Sequence, residues 1–279
     1  TVLQKKGVPV PDFKIVKSYE EAMLAVKKLK YPLVIKPVDN MGARGVRKLS
    51  SDKELKLAWP EALKNSRTQT VIIERFIPAK ELSIETLVYK GKVYLITIAD
   101  RIIRHPPYFI EKGHTLPTLL SSREQDIVFD MAKKGIAALG IKHGPVKFDM
   151  RLSKKGAVIG EMTARLSGGF HSQMTEPLSS GMNSIKAVID LSLGLPLDKK
   201  DIEPQFFHGA AERSIYPKPG KVVSIKGLEK AESMEGIAGV FLNVKPGDIL
   251  YPLTSNIGKA GHVVGYGRTR KEAIRNTLR

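Results

Sequence analysis

The 279-residue sequence predicts an α+β fold of antiparallel modules, and three observations carry that reading. Ser18-Tyr19-Glu20-Glu21, Ser51-Asp52-Lys53-Glu54 and Thr269-Arg270-Lys271-Glu272 each set a hydroxyl three residues ahead of a Glu, the reciprocal pattern of a helix capping box. Two pairs of apolar runs flank Lys/Gly turns as hairpins do: 82–89 with 93–99 around Lys90-Gly91-Lys92, and 145–152 with 157–163 around Lys154-Lys155-Gly156. Strands and helices do not alternate as a regular βαβ series, which argues against a doubly wound sheet.

Along the chain, Gly7-Val8-Pro9-Val10-Pro11 is an extended lead-in, and the first capped helix runs to Lys30. Leu33-Val34-Ile35-Lys36-Pro37-Val38 is a short strand with one Lys among apolar residues, followed by a two-glycine loop at 40–45, a returning strand at 46–49 and the second capped helix, to Lys64. A strand at 71–77 ends at Pro78. Segment 104–120, with three prolines and one glycine, reads as a loop of a length rare in compact domains unless it has a task. Segment 122–140 is a strong helix with an apolar stripe of Ile127, Val128, Met131, Gly135 and Leu139. Residues 183–193 form a helix stopped by Gly194, and from 205 the chain turns rich in strands and turns.

Lys plus Arg number 46 against 28 Asp plus Glu, a formal net charge of +18. Such a charge attracts polyanions, a nucleotide or a nucleic acid. The basic residues are spread rather than blocked, and aromatic residues are 6% of the chain, so a nucleic-acid arm with stacking platforms is disfavoured. No apolar run reaches bilayer-spanning length, so no membrane role is expected, and a cytosolic location fits best. There is no Cys, which excludes disulfides, thiolate nucleophiles and Cys-based zinc sites. Thr1 stands where an initiator Met would, and Arg279 falls inside an expected helix, so both ends read as cut from a longer protein.

The most informative stretch is Gly144-Pro145-Val146-Lys147-Phe148-Asp149-Met150-Arg151 with the run from Ala157 through Glu161 and Thr163 to Arg165. A hairpin centred on Lys155 sets Asp149 directly opposite Glu161, with Lys147, Thr163 and Arg165 on the same face. Two opposed carboxylates repel unless a cation lies between them, and an all-oxygen set suits Mg²⁺ or Mn²⁺ bridging substrate phosphates. The other reading is a solvated hairpin whose charges pair among themselves. Lys36 needs a counter-charge, which a phosphate would supply. The Gly42 and Gly45 loop lets backbone amides approach phosphate oxygens, although most such loops are only turns. Glu81 is either a ribose acceptor or an ordinary surface Glu.

Taken in order, the run 31–37, the loop Gly42-Ala43-Arg44-Gly45-Val46, the segment Ile72-Ile73-Glu74-Arg75-Phe76-Ile77 and the stretch 161–165 resemble the ATP-grasp superfamily, in its carbamoyl-phosphate-synthase and biotin-carboxylase branch and near the amino-acid ligases. The match spans 7–194. The resemblance implies two α+β subdomains clasping ATP, 1–75 and 76–204, with 205–279 a small β-rich unit beside the site. It implies that Lys36 contacts the phosphates and that the 40–46 loop closes over them. Glu74, Arg75, Phe76 and Ile77 would meet adenine largely through backbone and Glu81 the ribose. Asp149 and Glu161, with Thr163, would hold Mg²⁺ or Mn²⁺, and Arg165 would steady an acyl phosphate. The segment 109–114 resembles a substrate loop of amino-acid ligases, in which Glu111 and His114 would hold an amino group and Gly168-Gly169 would line a carboxylate pocket. Thr163 departs from the usual Asn, and a hydroxyl is the poorer ligand. The upstream nucleotide-like domain of the family is absent, which implies a missing domain or partner subunit; homo-oligomerisation is left open. The implied activity is ATP-dependent ligation of a small carboxylate to an amine. The rivals are a bicarbonate-using carboxylase or carbamoyl-phosphate enzyme and a basic nucleic-acid-binding module.

Overall fold

A computed structural model describes residues 2–104 and 106–279. After a short α1 (Val2–Lys5) come β1 (Phe13–Val16), α2 (Tyr19–Leu29), β2 (Leu33–Pro37), β3 (Arg47–Leu49), α3 (Asp52–Lys64) and β4 (Val71–Arg75). The hydroxyls start the helices as their spacing predicts: Ser18 and Ser51 accept from the Glu21 and Glu54 amides at 3.2 and 3.3 Å. The two Glu carboxylates reach one residue further back than a capping box requires, to the Lys17 and Ser50 amides. The four strands form an antiparallel sheet in the order β1-β4-β2-β3. Leu33, Ile35, Leu49 and Ile73 on one face pack against Ala22 and Val26 of α2 and Leu55 and Trp59 of α3.

The rest of the chain builds on a second sheet: β5 (Lys80–Tyr89), β6 (Lys92–Arg104), β7 (Ile110–Leu116), α4 (Ser122–Leu139), β8 (Gly144–Ser153), β9 (Gly156–Thr163), α5 (Glu176–Ser180), α6 (Ser184–Ser192), β10 (Gly209–Ile215), β11 (Gly220–Lys221), α7 (Leu228–Glu232), β12 (Ile237–Leu242), β13 (Ile249–Leu250), β14 (Gly261–Gly267) and α8 (Arg270–Asn276). Eight of these strands run in the order β12-β14-β10-β7-β6-β5-β8-β9. Strands β10, β12 and β14, from the 205–279 stretch, thus continue the sheet of the middle segment, and β11 pairs with β13 separately. One face of the large sheet meets α4 through Leu82, Ile84, Phe148, Met150 and Ile159. Among the described residues no helix is long and apolar enough to cross a membrane.

Three expectations are corrected. Segment 104–120 is not a loop throughout: 110–116 forms β7, hydrogen-bonded to β6 on one side and β10 on the other. Its prolines and glycine read as loop signals, and no apolar alternation offset them, because one face lines a polar interior rather than an apolar core. The α4 stripe is Val128, Met131, Ala132, Gly135 and Ile136, while Ile127 and Leu139 are 38% and 44% exposed. The β8–β9 hairpin does not turn about Lys155 alone: Ser153 pairs with Gly156 across a two-residue turn, and a bulge between Asp149 and Met150 shifts the register. Because side chains alternate, an uncorrected slip would change which face each residue occupies. The bulge absorbs the slip, so Asp149 still opposes Glu161 and Lys147 still opposes Thr163.

Candidate active site

The 40–46 loop leaves β2 with a pinned base. Asp39 accepts the Arg67 and Thr68 amides, and the Asn40 amide group donates to the Asn65 carbonyl at 2.6 Å, tying the loop to the end of α3. Gly42, Ala43 and Gly45 have φ of 68°, 58° and 69°. At Gly45 a Cβ would also lie 3.2 Å from the Ala62 Cα, so the loop hugs α3 where only glycine fits. The tip is open: Met41 is 72% exposed, and the Arg44 Nε donates to the Met41 carbonyl at 3.0 Å. Val46 closes the loop with its amide on the Ala43 carbonyl. Lys36 lies on β2 ahead of this loop, and its Nζ is 2.9 Å from Glu74 Oε2 on the adjacent strand, so the counter-charge it required is a protein carboxylate.

From Glu74 the chain crosses to the second sheet. The Arg75 and Phe76 amides donate to the Asp12 and Pro32 carbonyls, and the Arg75 side chain pairs with Asp12 at the surface. The Arg151 guanidinium bridges the Ile77 carbonyl and the Glu81 carboxylate and lies over the Phe76 ring, with Lys48 Nζ 4.5 Å from the same ring. A cleft of about 150 Å³ opens here, lined by Lys48, Phe76, Glu81, Arg104, Pro107 and Phe109. Its far wall is docked on the small sheet through the Lys48 amide, which donates to the Pro107 carbonyl at 2.8 Å. Glu81 therefore sits at a cleft wall with Arg151 rather than free at the surface; burial raises its carboxyl pKa in spite of Arg151.

Deeper along the same face, Arg101 of β6 joins two carboxylates. Its Nη1 is 2.7 Å from Asp149 Oδ1, and its Nε and Nη2 hold Glu111 in a two-point fork at 3.2 Å each. Lys147 also donates to Asp149 Oδ1. Burial opposes ionisation of both acids, but Arg101 outweighs it, holding Asp149 below the usual range and Glu111 at about 2. Glu161, opposite Asp149, is exposed to solvent. Thr163 Oγ1 is buried with no hydrogen-bond partner. An open carboxylate, a held carboxylate and an orphaned hydroxyl on one hairpin face fit a hard divalent cation. Among the described residues no three His, Asp or Glu converge as ligands, so such an ion would need oxygens from a substrate as well. Arg165 lies beyond the end of β9, exposed, with its Nη1 on the Leu166 carbonyl, and is not on the hairpin face beside Lys147.

The polar face continues inward. His114 is buried on β7, not solvated on a loop: its ring stacks on His171 at 4.9 Å, its Nε2 lies 2.7 Å from Thr175 Oγ1, and its Nδ1 lies 3.7 Å from Glu212. Burial, reinforced by His171, keeps it neutral by lowering its pKa well below the usual value. Gly168 and Gly169 lead into a single π-turn, His171–Thr175, of the kind frequent at functional sites. That turn is anchored from beneath: the buried Glu85 accepts the Ser167 amide and the Ser172 hydroxyl. Glu176 accepts the amide and hydroxyl of Ser184; burial, then Glu85, pushes it up to about 8.

Arg101, Glu85 and Glu176 escaped the sequence reading. For Arg101 and Glu85 the signal existed, a charge inside a run of strand formers, the same argument that singled out Lys36.

The ATP-grasp domain profile matches residues 29–173, more than half of the chain. The chain belongs to the ATP-grasp family. A second profile, the L-amino acid ligase C-terminal domain 2, matches 213–279. The chain is 25% identical to an L-amino acid ligase from Bacillus licheniformis, whose crystal structure superposes with a TM-score of 0.84 over 99% of this chain and 67% of that one. It is 27% identical to the N-terminal section of the carbamoyl phosphate synthase large chain of Aquifex aeolicus, over 99% of this chain and 47% of that protein. It is 33% identical to cyanophycin synthetase of Crocosphaera subtropica, over 61% of this chain and 20% of that protein. The chain spans about half the length, or less, of the curated relatives it matches. Membership of the ATP-grasp family fixes the fold as two α+β parts about a cleft, the arrangement of the two sheets here.

Proposed function

We propose that this ATP-grasp chain is the nucleotide-handling part of a ligase that activates a small carboxylate with ATP and joins it to an amine. The observation that carries the reading is the β8–β9 face, where Asp149 and Glu161 oppose each other beside the unpartnered Thr163 hydroxyl. The proposed division is 1–75 and 76–204 as the clasping halves, with 205–279 completing the wall of the substrate end. ATP would lie with its base in the cleft by Phe76 and Phe109, its ribose toward Glu81 and its phosphates under the 40–46 loop near Lys36. Asp149, Glu161 and Thr163 would hold Mg²⁺, or Mn²⁺, which when bound supplies positive charge to the phosphate oxygens.

In the first step a substrate carboxylate oxygen attacks the γ-phosphorus, and the bond to the leaving ADP oxygen breaks. In the second an amine nitrogen attacks the acyl carbon, phosphate leaves and the nitrogen loses a proton. Lys36 and Lys147 offset charge on the transferring group, and Arg165 would join them if its short segment swung onto the site. Glu111, ionised at any physiological pH, and the neutral His114 suit a substrate ammonium group, and Gly168-Gly169 suit its carboxylate. Closure of the loop would exclude water from the acyl phosphate. The likeness to the B. licheniformis ligase along nearly the whole chain, and the C-terminal match, favour amino acids over bicarbonate.

The test is phosphate release from Mg-ATP with the twenty amino acids, dipeptides and bicarbonate, using the longest natural form of the protein. Release stimulated by an amino acid, and lost in Glu161→Ala with the fold intact, is expected. Release stimulated by bicarbonate alone overturns the ligase reading.

A further inference from the structure

The segment between β13 and β14 touches both ends of the site at one residue. Asn256 lies in a single 3₁₀ turn, Asn256–Gly258. Its backbone N–H donates to the Gly42 carbonyl in the 40–46 loop at 2.9 Å. Its side-chain Oδ1 accepts the Glu111 N–H on β7, also at 2.9 Å. Ile257 packs beside Gly42, its Cγ1 3.6 Å from where a Cβ would stand. Ser214 Oγ donates to the Glu111 carbonyl at 3.2 Å, so the backbone of that residue is held from both sides. The Glu111 carboxylate grips Arg101, which grips Asp149. One hydrogen-bonded path therefore runs from Gly42 through Asn256, Glu111 and Arg101 to the acidic hairpin.

We infer that Asn256 is a positioning residue, a latch that makes closure of the 40–46 loop depend on the setting of the β7 strand that carries Glu111. The inference rests on reading 40–46 as the phosphate loop. Asn256 suits the task because it offers a donor and an acceptor in opposite directions: the backbone bond needs only the turn, whereas the side-chain bond needs an acceptor at this position. Loss of that acceptor unties the turn from β7, and the loop loses its backing.

Amide hydrogen exchange on the whole chain tests this, because it reads the loop and the strand separately. Without nucleotide, Asn256→Ala should speed exchange at 40–46 and 110–116 by about fivefold, the worth of one hydrogen bond. Asn256→Asp keeps the acceptor and should stay near wild type. Equal rates in wild type and Asn256→Ala, or equal acceleration in both variants, overturn the latch. With Mg-AMP-PNP, wild type should gain protection at 110–116 as well as 40–46, and Asn256→Ala at 40–46 alone. Undiminished protection of 110–116 in Asn256→Ala also overturns it. If the analogue protects neither segment in wild type, the nucleotide reading fails, and the nucleotide-free comparison decides the latch.

Discussion

Arg101 touches carboxylates from two strands, Glu111 on β7 and Asp149 on β8, and is itself 14% exposed. Removing the guanidinium leaves two half-buried acids facing each other, a change that costs about 3 kcal/mol. Arg101→Met should lower the urea midpoint accordingly. Arg101→Lys should recover only part of it, since an ammonium cannot fork across Glu111 and still reach Asp149. Equal midpoints for Arg101→Met and wild type would remove the residue from its proposed place at the centre of the site. Glu176 offers a second test, through pH. Its carboxyl is raised to about 8, so the folded state holds a proton that the unfolded chain releases near the ordinary value of 4.5. That stabilisation is complete below pH 4.5 and fades as pH rises toward 8, by up to about 1.4 kcal/mol per unit. His114 and His171, both lowered by burial, act oppositely as pH falls below 6.5, so the clean window is 6.5 to 8. Across it wild type should lose melting temperature, and Glu176→Gln should lose less. Parallel profiles would mean that the raised carboxyl of Glu176 is not the source of the slope. At Lys36, a charge out of place in an apolar run, the need for a counter-charge was legible, but its partner Glu74 was not. Single residues were illegible where, as at Asn256, the role depends on two partners far away in sequence.

At the scale of elements, β7 is the instructive case. Gly113 has a φ of 144°, and a Cβ there would lie 2.0 Å from the Glu212 carbonyl oxygen on β10. Gly113→Ala should therefore part the two strands and cost about 3 kcal/mol, read as a drop in the denaturation midpoint. A midpoint within experimental scatter of wild type would mean that the β7–β10 pairing is looser than described. The same glycine, with Pro106, Pro107 and Pro117 around it, made the segment look like a loop. Capped helices and hairpins were readable because their signals are local: a hydroxyl and a Glu three apart, or two runs about a turn. The Asp149–Glu161 pairing was readable for that reason too, although the bulge that secures it was not. The expected α4 stripe overran at both ends because Ile127 and Leu139 are apolar yet face solvent.

For the whole molecule, the placement of β10, β12 and β14 in the large sheet is what sequence could not reveal, since pairing with β7 depends on residues remote from one another along the chain. Ligand linkage acts at this scale. Mg-AMP-PNP at a hundredfold excess over its dissociation constant should stabilise the fold by about 2.7 kcal/mol. For a chain of this size that corresponds to a rise of about 5 °C in melting temperature. The magnesium-dependent share should vanish in Glu161→Ala, and Lys36→Ala should reduce the total; an unshifted melt in wild type would refute nucleotide binding by this chain. The net charge of +18 should make that affinity fall as salt rises.

Strand β7 has one neighbour made just before it and another made only after α4, β8, β9, α5 and α6 have left the ribosome. During translation its outer rim of peptide groups therefore waits, unclaimed, for a sequence still to be synthesised. Exposed strand rims are templates for adventitious pairing, and such distant closures are slow. A nascent chain stalled or clipped before residue 209 would present that rim permanently, the condition under which a chaperone is needed most.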